Sequence, residues 1–526
     1  MPKNSQDPIV VYDTTLRDGA QTEGVSFTVN DKIKITEKLD DLGVHYIEGG
    51  WPGSNPKDKD YFQYFKDKTL KNAKIAAFGS TRRPKIKCSE DLNLQELIKS
   101  KAPTCTIFGK SWDLHVTDVL KTTLDENLRM IGESVEYLKK NGREVFYDAE
   151  HFFDGYKNNP QYALSAILAA EEAGADCIIL CDTNGGTLSE EVAEIVREVK
   201  AKVKTPLGIH CHDDLQLGVS NSVAAILAGC TQVQGTFNGL GERCGNANLA
   251  TIVGILHTKL KMKSLPDKNM NKLMNTCYFI SELSNHPVRD NAAFVGHSAF
   301  AHKGGVHIDA MVKNPLAYEH IDPKIVGNHS RFVTSELAGK MPIVMRAEKM
   351  NVKLDKQSPE VKQLMKELQE KEYTGYQFEA ADASFELFLK RSLKKYEPFF
   401  TLDSFRVSTE RRHDGKPYAD AAVRLVVKGD KKFNASEGDG PVDALDKALR
   451  NILVEYYPNL KLMHLTDYKV RVLDSKEGAA AKVRVLIESQ DDKDSWTTVG
   501  VHENIIEASW EALIDSVEYK LLKDLK

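Results

Sequence analysis

No stretch of this chain is apolar for anything near the roughly 18 residues that a membrane-crossing helix needs, so no such helix is expected. Residues 1–8 are polar and lack the apolar core of a signal peptide, which points to a cytoplasmic protein. There is no basic tract and no basic stripe interleaved with aromatics, and the net charge is −5, so nucleic acid is not an expected partner. Nor is there a Gly-x-Gly-x-x-Gly after the first apolar run, or a biotinylation motif. The eight cysteines are scattered, several of them in strand-like apolar runs, which suits reduced, buried thiols better than a disulfide framework. Cys177 and Cys181 stand too far apart along a strand to share a metal and are expected in the core.

What is present is a soluble globular composition, 41% hydrophobic and 28% charged, over 526 residues, enough for two or three domains. Up to about residue 265, eight short β-rich runs alternate with segments of helical period such as Asn127–Lys140 and Pro160–Glu172. The runs are Ile9–Tyr12, Tyr46–Gly50, Lys74–Gly79, Thr104–Gly109, Glu144–Glu150, Cys177–Asp182, Leu207–His212 and Gln232–Phe237. Eight such units in about 250 residues predict an α/β fold, a (β/α)8 TIM barrel, with a doubly wound open sheet as the alternative.

Active sites of this barrel lie at the C-terminal ends of its strands. Arg17 and Asp18 follow the first run, and Glu48 closes the second. Asp148 and Glu150 end the fifth, Asp182, Thr183 and Asn184 the sixth, His210 and His212 the seventh, and Asn246 follows the eighth. Residues i and i+2 of a strand share a face, so His210 and His212 can bind one ion. With Asp18 and Asn246 they offer a mixed oxygen/nitrogen site for a divalent metal, with Mg²⁺, Mn²⁺ and Zn²⁺ all acceptable. A guanidinium beside it, Arg17, suits an oxygen-rich substrate, although Arg17 could also serve only as an ion-pair partner of Glu48 or Glu150. The glycines of 239–245 would turn the backbone sharply toward Asn246 or, alternatively, form an anion-binding loop.

Residues 266–398 read as helical subdomains. One apolar–polar patch interrupts them from Phe300 to Ala310, where a glycine doublet beside histidines predicts a tight turn and not a core helix. Lys353–Glu372 reads as a charged surface helix. From 399 to 526 there is an internal repeat. Pro441-Val442-Asp443-Ala444 with Ala448-Leu449 recurs as Ile505-Ile506-Glu507-Ala508 with Ala512-Leu513, each following strands. Two β-β-β-α units in a small α+β module are expected.

Five motifs occur in order: Arg17–Gln21, His210–Asp213, Gly239–Asn246, Gly304–Asp309 and Tyr318–Gly327. On these motifs the chain resembles the 2-isopropylmalate synthase/homocitrate synthase family over essentially its whole length. Ala20 stands where the family commonly has glutamate. That departure, with Ile47–Asp58 and Val333–Gly339, resembles the citramalate synthase branch. The resemblance implies a catalytic barrel at 1–265, helical subdomains at 266–398 and a regulatory domain at 399–526. It implies condensation of acetyl-coenzyme A with a 2-oxo acid, pyruvate in this branch, on a route to isoleucine. Asp18, His210, His212 and Asn246 would hold the metal. Arg17, Glu48, Asp148 and Thr183 would meet the oxo acid, with Arg17, Glu150, His307 and Tyr318 in catalysis. His307 is the acid/base candidate, against a turn role for it and a packing role for Tyr318. His302 and His320 read as structural. A homodimer inhibited by isoleucine, or alternatively leucine, is also implied. The competing readings are 2-isopropylmalate or homocitrate synthase, a metal-dependent aldol lyase, and a non-catalytic amino-acid sensor.

Overall fold

The computed structural model describes residues 8–332, 340–349, 354–411, 413, 417–473 and 481–525, so the Val333–Gly339 motif lies outside the described residues. The chain divides into two compact units, Met1–Phe300 with Ile321–Ser330, and Ala301–His320 with Arg331–Lys526.

The first unit is built on a closed barrel of eight parallel strands. They are β1 (Val10–Asp13), β2 (Tyr46–Gly50), β3 (Lys74–Ser80), β4 (Thr104–Lys110), β5 (Glu144–Glu150), β6 (Cys177–Asp182), β7 (Leu207–Cys211) and β8 (Gln232–Gly235). Ring closure is made by β1 on β8, from Val10↔Gln232 to Asp13↔Gly235. The first helix, Val29–Leu42, starts at a capping box in which Thr28 and Asp31 satisfy each other's backbone N–H groups. Tyr12, Ala76, Phe146, Cys177, Ile179 and Cys181 pack together in the barrel interior, so the cysteine pair is core, as its spacing predicts. All eight cysteines are free thiols, and only Cys244 is exposed. Among the described residues no helix is long and apolar enough to cross a membrane.

Three local differences from the sequence reading have physical causes. β7 stops at Cys211: the His212 N–H still makes the last ladder bond, to Asp182 O at 3.1 Å, but His212 itself pairs with Asn246 in an isolated antiparallel bridge. β8 stops at Gly235, where a Cβ would lie 2.3 Å from the Ala247 carbonyl oxygen, so the returning chain already presses on the strand end. In the second unit a helix, Gly305–Lys313, begins where a turn was expected. Gly304 is extended and turns the chain into that helix, which buries only Ile308 and Met311 on one stripe.

The second unit carries two three-stranded antiparallel sheets besides a short parallel pair, β9 (Ala301–His302) with β10 (Arg331–Phe332). One sheet is β11 (Phe400–Arg411), β12 (Pro417–Val427) and β13 (Asp430–Gly438), followed by the helix Pro441–Leu453. The other is β14 (His464–Val472), β15 (Val483–Gln490) and β16 (Ser495–His502), followed by Ile505–Asp524. The repeated Ala444/Ala508, Ala448/Ala512 and Leu449/Leu513 are all buried in one shared core. The repeat is therefore the core-facing stripe of two equivalent helices. The charged helix runs Pro359–Tyr373 and buries Val361, Leu364 and Leu368.

Barrel closure depends on a buried acid. Asp13 accepts from Thr15 Oγ1 at 2.6 Å and Thr15 N at 3.1 Å, while Thr15 Oγ1 accepts from Phe237 N at 2.9 Å. Burial pushes the Asp13 carboxyl up to about 7 from 3.8, with the Thr15 bonds opposing. The folded state thus prefers the protonated form. Stability from this group is full below 3.8 and is lost as pH rises through about 7. Asp13→Asn removes that titration. The stability of wild type minus variant should therefore fall by on the order of 1–4 kcal/mol between pH 4 and pH 8. Thermal melts of both proteins across that range check it, and a pH-independent difference would refute it.

Candidate active site

The C-terminal ends of β1, β5, β6, β7 and β8 bring the predicted barrel residues to one face. Arg17 and Asp18 sit in the turn after β1, with the amides of Arg17 and Gly19 both bonded to Thr14 O. Glu48 faces the interior just before a register shift in β2, between Glu48 and Gly50, that bends the strand. The bend needs Gly49, whose Cβ would lie 2.0 Å from the Tyr61 ring. Arg17 Nε donates to Glu48 Oε1 at 2.5 Å, and its Nη1 contacts Asp18 Oδ1. The guanidinium also lies 3.7 Å from the centroid of the Phe78 ring. Of the two ion-pair partners considered for Arg17, the structure selects Glu48; Glu150 pairs with Lys110 instead.

Next to this pair stand the imidazoles. His210 Nε2 is 3.6 Å from Asp18 Oδ2, and the His210 and His212 rings are 5.4 Å apart. The bridge from His212 to Asn246 draws the carboxamide to the same place. The loop that returns it turns on glycines. Gly239, Gly241 and Gly245 all have positive φ, and Asn246 N bonds Gly239 O at 3.3 Å. Asp18 Oδ2, His212 Nδ1 and both polar atoms of the Asn246 side chain are buried without a hydrogen-bond partner. Buried polar atoms are rarely left so. Among the described residues no three His, Cys, Asp or Glu side chains are already contracted into a metal cluster. The convergent set is one carboxylate oxygen, two imidazoles and an amide.

Electrostatics favour neutral imidazoles beside ionised Asp18. Burial pushes His210 down, against the pull of Asp18, and burial with His210 beside it pushes His212 down to about 3. Burial raises Asp18, but the Arg17 guanidinium beside it leads the opposing effects, so its carboxyl is held below the usual range. Burial lifts Asp148 well above that range, with Glu48 adding to the effect. Burial likewise raises Glu48, with Arg17 opposing.

Thr183 Oγ1 accepts from His151 N at 2.9 Å, which leaves its own hydrogen free to donate, and its carbonyl is held by Arg243 Nη2 at 2.8 Å. A cavity of about 190 Å³ joins Arg17, Asp18, Asp148, Glu150, Thr183 and His210. Phe78 and Phe108 also line it; they stack at 5.5 Å, and Trp51 packs edge-on to both. His307 and Tyr318 belong to the second unit, where their rings stack at 4.1 Å. His302 lies 3.4 Å from Glu319.

The sequence reading missed Gln234, Lys110 and the aromatic trio. Gln234 accepts from His210 Nδ1 at 3.0 Å and donates to Asp148 Oδ1 at 3.3 Å. Its one signal was a pair of glutamines at alternate positions, 232 and 234, in an otherwise apolar strand.

Gly241 tests the loop. A Cβ there would stand 2.4 Å from Asn246 Oδ1 and could relieve the clash only by displacing the carboxamide. Gly241→Ala should therefore lower turnover by about 10–100-fold, the range for disturbing groups that orient a site. Far-UV circular dichroism should be unchanged. Turnover within twofold of wild type would remove Asn246 from the site.

Residues 9–280 match the HMGL-like family, residues 294–373 the homocitrate synthase post-HMGL domain-like family, and residues 379–521 the LeuA allosteric (dimerisation) domain. The (R)-citramalate synthase of Aquifex aeolicus is 54% identical over 520 residues, covering 98% of each chain. That of Geobacter sulfurreducens is 53% identical over 516 residues, again covering 98% of each. A 2-isopropylmalate synthase of Carboxydothermus hydrogenoformans is 32% identical over 523 residues, covering 98% of this chain and 97% of its own. Sharing more than half its residues with the first two from end to end, on an HMGL-like barrel followed by a LeuA dimerisation domain, the chain belongs to the (R)-citramalate synthase family.

Proposed function

We propose that the barrel face joins the methyl carbon of acetyl-coenzyme A to the keto carbon of pyruvate, and that hydrolysis of the thioester then releases coenzyme A and (R)-citramalate. The observation that carries this reading is the convergence of four unpartnered buried polar atoms, on Asp18, His212 and Asn246, with His210 beside a paired arginine. Carboxylate, imidazole and carboxamide are donors that a divalent ion of the Mg²⁺, Mn²⁺ or Zn²⁺ class accepts, so the residues fit the group. Asp18, His210, His212 and Asn246 would hold that ion, which when bound polarises a keto oxygen as a Lewis acid.

The chain's own residues supply the rest. Arg17, braced by Glu48, neutralises the oxyanion that develops at the keto carbon as the new bond forms. Thr183 donates its free hydroxyl hydrogen to the oxo-acid carboxylate. Asp148, kept neutral by burial, can donate beside it. Glu150, held by Lys110, faces the same cavity and handles protons during hydrolysis. His307, whose ring stacks on Tyr318 within the second unit, is the acid/base candidate for the acetyl methyl group. Phe78 and Phe108, backed by Trp51, wall a small cavity, which favours pyruvate over branched oxo acids. The product's place on a route to isoleucine follows from this reading.

Three outcomes check it. Thiol release from acetyl-coenzyme A should be fastest with pyruvate in a panel of 2-oxo acids, and should cease after exhaustive chelation and return with Mn²⁺ or Mg²⁺. Arg17→Lys should lower kcat by roughly 100-fold or more, because the compact ammonium loses the two-sided brace. Retention of most of its kcat would reduce Arg17 to a structural ion pair. The LeuA allosteric (dimerisation) domain supports assembly as a homodimer with a feedback effector. Isoleucine should raise the apparent KM several-fold, a coupling of about 1–3 kcal/mol, while leucine does less. Insensitivity to both would leave this domain with assembly alone.

A further inference from the structure

We propose that Gln234 is the positioning residue that makes His210 a ligand, by keeping the imidazole hydrogen on Nδ1 and leaving Nε2 bare. The inference rests on the metal reading of the site, and it concerns a residue that touches neither metal nor substrate.

Register puts the amide where it acts. In the parallel ladder His210 of β7 is the Cα partner of Gln234 of β8, which is in turn the partner of Tyr12 of β1. Gln234 is fully buried, so both ends of its carboxamide need partners. The nitrogen end reaches Asp148 Oδ1 of β5 at 3.3 Å, and the oxygen end lies 3.0 Å from His210 Nδ1. A carboxamide has one donating and one accepting end. Asp148, though neutral, keeps one accepting carbonyl oxygen, and with the amide NH₂ on its Oδ1 the amide oxygen faces the imidazole. Nδ1 then carries the hydrogen, and a neutral imidazole has only one.

The consequence lies on the far side of the ring. His210 Nε2 is left with a lone pair, 3.6 Å from Asp18 Oδ2, an acceptor with no partner of its own. Two acceptors face each other with no proton between them, which is the condition a cation relieves. Were the amide turned around, its NH₂ would face Nδ1 and drive the hydrogen to Nε2. That hydrogen would bond Asp18, and the ligand pair would close on itself. The orientation of one amide therefore decides between an open pair and a closed hydrogen bond. A packing role alone does not explain the residue, since methionine would fill the same space without needing two polar partners.

The test uses full-length protein and two readouts. In apo-protein labelled with ¹⁵N in its histidine rings, with His210→Gln to assign the signal, His210 should show the Nδ1–H tautomer. In Gln234→Met the population should move toward Nε2–H. Mn²⁺ affinity, read from free Mn²⁺ by electron paramagnetic resonance, should fall about 10–100-fold in Gln234→Met, the usual cost of losing a partner that orients a ligand. The exchanged pair Gln234→Glu with Asp148→Asn again places an acceptor against Nδ1 and a donor against the new carboxylate. It should recover most of the affinity, and it keeps the proposal testable should the methionine variant fail to fold. An Nε2–H tautomer in wild type overturns the proposal. So does Mn²⁺ affinity within twofold of wild type in folded Gln234→Met, or no recovery in the exchanged pair. Wild type that binds no Mn²⁺ sinks the metal reading instead, while the tautomer still decides the role of Gln234.

Discussion

The barrel's catalytic face is governed by a shortage of positive charge in a place without water. Asp18, Glu48 and Asp148 are all buried there, and Arg17 is the cation they share. Burying a charge is tolerable only when it is paired and hydrogen-bonded. Arg17 meets that demand for Glu48 and for one oxygen of Asp18, and burial leaves Asp148 protonated. The second oxygen of Asp18 is not satisfied, and both neighbouring imidazoles are held neutral. A site arranged in this way has room for one more cation.

The same constraint explains why polar residues penetrate so far into the barrel. Tyr12 donates to Glu48 Oε2 at 2.5 Å, and its oxygen lies 2.7 Å from Thr106 Oγ1. Gln234 bridges from β8 to β5 across the interior. Each of these bonds uses up a lone pair that would otherwise be left buried and bare. Charge at the mouth is therefore supported by a layer of neutral polar groups below it, and beneath that layer the apolar filling begins at Phe146 and Ile179.

Much of this was legible in the sequence because it is local. Eight apolar runs of strand length, spaced by helical periods, specify parallel strands, and the polar residues fall at the ends of those runs. The glycines at 239, 241 and 245 announced a turn, and the turn delivers Asn246. The less legible parts depend on register between distant strands. Nothing near Gln234 says that it will oppose His210, 24 residues earlier, or reach Asp148, 86 residues earlier. Phe78, Phe108 and Trp51 lie on different β/α units and become one wall only when the barrel closes. The Gly304–Gly305 doublet misled for the opposite reason. Local rules favour a turn there, but burying Ile308 and Met311 on one stripe holds the segment in a helix.

The metal-ligand candidates and the aromatic wall thus occupy different parts of the same face. The metal-binding candidates come from β1, β7 and the loop after β8, where charge must balance whatever the oxo acid. The aromatic wall comes from β3, β4 and the turn after β2, and its rings contact one another face to face and edge-on at 5.5–5.8 Å. Because Phe78 also carries the Arg17 guanidinium on its face, shaving that wall to admit a larger oxo acid would loosen the arginine as well. Phe108 makes no such contact with Arg17 among the described residues. The wall can therefore be enlarged from the β4 side with the Arg17 brace left intact, whereas enlargement from the β3 side removes the ring on which the guanidinium rests.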